Sequence, residues 1–171
     1  MRAAYVAKLD DIPLEKRVYI DESGVDKCLV RERGRALRGV KVEGTKNGRK
    51  FQRTNVVAAK IGDKVVAPLC YTENTTSLFF VDWFRKFLIK AVPKGVTAIL
   101  DNARFHPKKK LRNLARRHGI NLLFLPPYSP DYNPVEKVWA NMKRALPDIL
   151  TETDTIEKAI YKYLLENIKT E

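Results

Sequence analysis

Three carboxylates in this chain fall where an α/β fold gathers its chemistry. Asp21 follows the apolar Val18-Tyr19-Ile20, Asp101 follows the continuous run Val96 to Leu100, and Glu136 falls in the first turn of a helix that Asn133-Pro134 opens. In open α/β sheets, functional groups collect at the carboxyl ends of strands. Glu136 lies off the stripe of Val135, Val138, Trp139 and Met142, so its side chain can face a cleft instead of the core. Hard carboxylate oxygens suit Mg²⁺, which keeps its waters and is shared between protein carboxylates and substrate phosphates, so such a trio fits phosphoryl transfer. Acids at these places also serve as plain caps, and a chain with 20 Asp and Glu offers many triples. Glu22 belongs to that second group: neighbouring strand residues point to opposite faces, so it turns away from whatever Asp21 faces.

The charge around these acids points to a polyanion. The 171 residues include 33 Lys and Arg against 20 Asp and Glu, a formal net charge of +13. Two stretches concentrate it: nine basic residues against four acids from Glu22 to Lys50, and seven with no acid from Arg104 to Arg117. Arg33, Arg35, Arg38, Arg104, Lys108, Lys109 and Arg112 are the candidate contacts to nucleic acid. Carboxylates inside a phosphate-facing domain repel their ligand unless a cation lies between, which again argues for a metal.

Composition narrows the class. With 44% hydrophobic residues, eight Gly and nine Pro, the chain is neither disordered nor fibrous, and its length suits one domain. Lys8, Asp10 and Asp11 break the apolar run that an export signal needs, and Leu78 to Val92 carries Asp82, Arg85, Lys86 and Lys90, so no bilayer span is expected. Cys28 and Cys70 lack any Cys-x-x-Cys pattern and are expected as core residues in a reducing, cytoplasmic setting.

The elements that must position the acids alternate. A strand over 17–21 leads into the basic segment. Strands over 51–61 and 64–71 join through Gly62-Asp63 as a hairpin. Residues 77–91, with Ser77 as cap, place Phe80, Phe84, Phe87, Leu88 and Ala91 on one helical stripe. A buried strand over 96–100 and a basic helix from Pro107 to His118, closed by Gly119, follow. A short strand at 121–125, a proline-rich loop and a helix that Pro147 stops complete an α/β sheet.

Three stretches carry a family resemblance: Val18-Tyr19-Ile20-Asp21-Glu22-Ser23-Gly24, Ile99-Leu100-Asp101-Asn102-Ala103-Arg104-Phe105-His106, and Leu125-Pro126-Pro127-Tyr128-Ser129-Pro130-Asp131-Tyr132-Asn133-Pro134-Val135-Glu136-Lys137-Val138-Trp139. They resemble the catalytic blocks of DDE transposases, in particular the bacterial insertion-sequence branch of the Tc/mariner superfamily, whose typical spacing matches the 34 residues between Asp101 and Glu136. The resemblance implies an RNase H-like, retroviral-integrase-like α/β fold with a mixed sheet flanked by helices. It implies that Asp21, Asp101 and Glu136 bind two Mg²⁺ ions, with Mn²⁺ as substitute, for cleavage at transposon ends and strand transfer into target double-stranded DNA. It also implies a homodimer on DNA at the nucleoid and a helix-turn-helix recognition part. The first catalytic strand begins by residue 17, so residues 1–171 are expected to form a single catalytic domain, with that recognition part separate or upstream.

Two other readings stand beside this one: a catalytically silent, transposase-derived DNA-binding module, and an RNase H-like nuclease that cuts without joining. His106 and Asn102 either pack locally or approach the scissile region, and stand outside the catalytic set. Trp139 reads as core.

Overall fold

The structure, a computed structural model, describes residues 2–26, 53–103, 105–127 and 129–166. Arg33, Arg35, Arg38, Arg104 and Cys28 lie outside the described residues.

Five strands form one mixed sheet in the order β3-β2-β1-β4-β5. β1 (Arg17–Asp26), β2 (Arg53–Ile61) and β3 (Lys64–Tyr71) run antiparallel, and the turn at Gly62-Asp63, with Gly62 at φ +53°, joins the last two as expected. β4 (Thr97–Leu100) and β5 (Asn121–Phe124) extend the sheet parallel to β1.

Strand periodicity sorts the side chains into two cores. Val18 and Ile20 of β1, Val57 and Ala59 of β2, and Ala98 and Leu100 of β4 pack beneath α2 (Ser77–Trp83) and α4 (Lys108–Arg117). The alternate residues Val25, Val56 and Ala58 meet α5 (Val135–Ile149) and α6 (Ile156–Glu166) on the opposite face. There α1 (Arg2–Asp10) covers Ile99 and Leu125 through Tyr5 and Leu9. Helices α1 and α6 are additions to the elements expected from the sequence.

Four local expectations are corrected. Asp21 does not end its strand: β1 continues to Asp26 because β2 pairs with it along the whole stretch. Thr76, not Ser77, caps α2, accepting from the Phe79 amide, while the Ser77 hydroxyl donates to the Phe105 carbonyl at 2.6 Å. Between α2 and the last helical turn, α3 (Ile89–Ala91), lies a π-helical segment, Phe84–Leu88. Its wider turn rotates the stripe, so Phe87 and Ala91 are exposed while Trp83, Phe84 and Leu88 are buried and Ile89 and Val92 pack against the core. Each fully buried large side chain of that stripe contributes about 1.5–3 kcal/mol. Finally, Pro147 does not stop α5. Its missing N–H frees only the carbonyl of exposed Lys143, which water can reach, and Leu150 bonds back to Leu146 at 2.9 Å.

Candidate active site

The parallel pairing of β1 with β4 ends at Tyr19 opposite Ile99. Asp21 and Asp101 each lie two residues beyond that pair, so the period of two puts both on the face of Tyr19 and Ile99, which α1 and α5 cover. Glu136, in the first turn of α5, reaches the same place. Asn133 sets that turn, its side-chain oxygen accepting from the Val135 amide at 3.3 Å while Pro134 already has helical dihedrals. Asp21, Asp101, Asn102, Ser129, Asn133 and Glu136 line one cleft of about 400 Å³. Glu136 also borders a shallower groove of about 730 Å³ lined by Leu9, Tyr19, Tyr132 and Ala140.

The two aspartates differ in electrostatics. Burial, then the charges of Glu136 and Glu22, push the Asp21 carboxyl up to about 7, against the hydrogen bond it accepts from Trp139. Trp139 is therefore more than the core residue expected: its Nε1 donates to Asp21 Oδ2 at 3.0 Å. Burial also raises Asp101, but the His106 hydrogen bond, the Ala103 amide and the His106 charge outweigh it and hold that carboxyl below its usual range.

His106 is 5% exposed. Its Nδ1 lies 3.0 Å from Asp101 Oδ1 and its Nε2 lies 3.3 Å from Glu22 Oε1. Nδ1 also lies 3.3 Å from the Asp101 backbone carbonyl, so each ring nitrogen faces acceptor oxygens, the arrangement that suits a doubly protonated ring. Burial lowers the imidazole pKa, yet the bonds and charges of the two acids raise it to about 9. Glu22 occupies the face opposite Asp21, as strand alternation requires; its charge is felt at Asp21, and its contact with Asp101 runs through this ring. That link is a contact that the sequence reading leaves out.

The donor set fits a divalent cation by its chemistry. Asp21, Asp101 and Glu136 supply hard anionic oxygens, and the mutual repulsion felt at Asp21 is what a cation would relieve. Among the described residues, no three His, Cys, Asp or Glu side chains are gathered tightly enough to enclose an ion by themselves, so substrate and water oxygens would complete its shell.

Beside the acidic cleft lies a basic recess of about 350 Å³ lined by Lys8, Lys108, Arg112 and Phe124; it shares Asn102, Leu125, Pro126 and Pro127 with the cleft. The Lys108 ammonium and the Arg112 guanidinium lie 5.5 Å and 5.3 Å from the Phe124 ring centroid. Lys109 is exposed on the same helix without lining the recess. Lys8, from the unanticipated α1, joins the expected basic residues here.

Fold and cleft together define an RNase H-like domain whose cleft gathers three carboxylates. The family model described as DDE superfamily endonuclease matches residues 16–157, and the chain belongs to that family. A 56-residue stretch is 49% identical to the uncharacterized protein y4pE/y4sA of Sinorhizobium fredii (strain NBRC 101917 / NGR234), covering 32% of this chain and 39% of that protein. The fold is similar to the mariner Mos1 paired-end complex with Mg, at 20% identity and TM-score 0.71 over 98% of this chain and 52% of that one. It is also similar to the Mos1 strand transfer complex, at 18% identity and TM-score 0.68 over 98% and 57%. The catalytic core of BIV integrase matches at 17% identity and TM-score 0.57 over 92% and 86%. The chain thus spans about half the length of the Mos1 chains it matches. Among the described residues, no helix is long and apolar enough to cross a membrane.

Trp139→Phe tests the tryptophan's second role. A hydrogen bond to a charged group contributes about 1.5–3 kcal/mol, so the variant is expected to melt roughly 3–12 °C lower. A double-mutant cycle with Asp21→Ala, which removes the acceptor, should recover much of that loss as coupling. Additive effects would mean that Trp139 acts through packing alone.

Proposed function

We propose that this chain is the catalytic domain of a DDE transposase that cleaves DNA at element ends and transfers the strands to target DNA, with Asp21, Asp101 and Glu136 as its catalytic carboxylates. The observation that carries the reading is the convergence of these three acids, from β1, the end of β4 and the start of α5, on one cleft of a strongly basic chain. Membership of the DDE superfamily endonucleases supports the reaction class.

The same carboxylates would hold Mg²⁺ or Mn²⁺, and Mos1 paired-end complexes with Mg and with Mn share this fold. The chemistry such cations would supply there is activation of a hydroxyl or water nucleophile and neutralisation of charge on the leaving oxygen. The chain's own residues do the rest. Trp139 and His106 fix the two aspartates, and Asn102, Ser129 and Asn133 give the cleft a polar rim. Lys108, Arg112 and Lys8 border the path beside it and would hold backbone phosphates, which sets the register of the strand entering the acids. Arg33, Arg35, Arg38 and Arg104 are proposed as further contacts. Double-stranded DNA, as transposon end and target, is the proposed partner, bound by a homodimer at the nucleoid with a helix-turn-helix part supplied separately or upstream.

The test is nicking of supercoiled plasmid by the chain in Mn²⁺, followed by joining of 3′-hydroxyl-ended duplexes to that plasmid. Nicking with joining supports the transposase. Nicking alone favours a nuclease, and DNA binding without nicking favours the silent module.

The basic helix has its own prediction. Changing Lys108, Lys109 and Arg112 together to Ala should weaken duplex binding at every sequence and lower the salt slope by about 0.9 for each phosphate the helix no longer neutralises. Anisotropy titrations at several salt concentrations measure this, and an unchanged slope would assign α4 to solvent.

A further inference from the structure

The cleft aspartates differ in how they are held, and Asp101 is held from behind. Its Oδ1 accepts from the Ala103 amide at 3.1 Å and lies 3.0 Å from His106 Nδ1 as an ion-pair contact, while Nδ1 also hydrogen-bonds the Asp101 backbone carbonyl at 3.3 Å, so that none of these contacts uses Oδ2. The His106 ring is itself immobilised. Its side chain is 2% exposed, its centroid is 4.1 Å from that of Phe80 and 4.5 Å from that of Phe105, and its far nitrogen is tied to Glu22. The loop that carries it is closed by the His106 amide bonding to the Ala103 carbonyl at 3.1 Å, and by Ser77 bonding to Phe105.

We propose that His106, oriented by Glu22 from the opposite face of the sheet, is a positioning residue that fixes one oxygen of Asp101 and so presents the other to a divalent cation in the cleft. The inference rests on the metal-binding reading of that cleft. A ligand carboxylate that is itself hydrogen-bonded loses less freedom on binding, and removing such outer partners typically costs 10–100-fold in metal affinity or activity. Glu22 lines no part of the cleft, so it acts on Asp101 only through the ring.

The probe is Mn²⁺ alone, with the free ion counted by electron paramagnetic resonance against the purified chain. Two near-isosteric variants separate positioning from packing. Asn at 106 places an amide N–H near the site of Nδ1, whereas Gln reaches toward the site of Nε2. His106→Asn is expected to keep the Mn²⁺ affinity within about threefold of wild type, by analogy with retained outer partners, while His106→Gln falls about 10–100-fold. Melting curves check that both variants fold. Equal affinity in both, or an equal loss in both, overturns the positioning role. Asp101→Asn is the reference: if it loses Mn²⁺ while both His106 variants match wild type, the inference fails and the metal site stands. Absence of Mn²⁺ binding by the wild-type chain overturns the metal site and this inference together.

Discussion

Glu136→Gln should leave a folded chain that binds duplex DNA as the wild type does and nicks it at least about 10³-fold more slowly, equivalent to about 4 kcal/mol of transition-state stabilisation. The expectation of intact folding comes from position. Glu136 is exposed in the first turn of α5, and the backbone bonds that start the helix, Glu136 N–H to the Asn133 carbonyl and Val135 N–H to the Asn133 side chain, need no carboxylate. Gln preserves the length of the side chain and removes its charge. DNA affinity should hold or rise slightly, because the change deletes a negative group near phosphates and no cation. Plasmid nicking at fixed Mn²⁺ and anisotropy of a labelled duplex give the two readouts. Nicking within tenfold of wild type would remove Glu136 from the catalytic set.

Asp21, Asp101 and Glu22 show what a sequence exposes and what it hides. The alternation of strand side chains is a backbone property, so it separates Asp21 from Glu22 before any tertiary contact is known. The apolar runs before each aspartate likewise locate β1 and β4 within a residue or two at their starts. The bond from Trp139 to Asp21 spans 118 residues and the bond from His106 to Glu22 spans 84. Neither leaves a local pattern, because each depends on which elements the sheet order brings together. The π segment at Phe84–Leu88 hides for another reason. Phe80, Phe84, Phe87 and Leu88 satisfy an ordinary helical stripe, so nothing in their spacing marks the turn that the backbone widens. Helices α1 and α6 have apolar stripes too, but their ends carry charges that on their own read as solvated surface.

The second large effect is a reversal of stability between Asp21→Asn and wild type. In a chelator the variant should be the more stable protein. Asp21 is partly buried beside Glu136 and Glu22, and Asn removes that crowded charge while its amide oxygen can still accept from Trp139. In Mn²⁺ the order should invert. An ion that binds only the folded chain stabilises it by about 2.7 kcal/mol at one hundred times its Kd. In a protein of this size that corresponds to a rise of roughly 5–10 °C in Tm. The wild type should show that rise and the variant almost none. Thermal melts in EDTA and in graded Mn²⁺ make the comparison, and an equal rise in both proteins would locate the ion away from Asp21. The reversal follows from the proposed role of the cleft: Asp21 feels the charges of Glu136 and Glu22 without a cation, and a bound cation would relieve that cost.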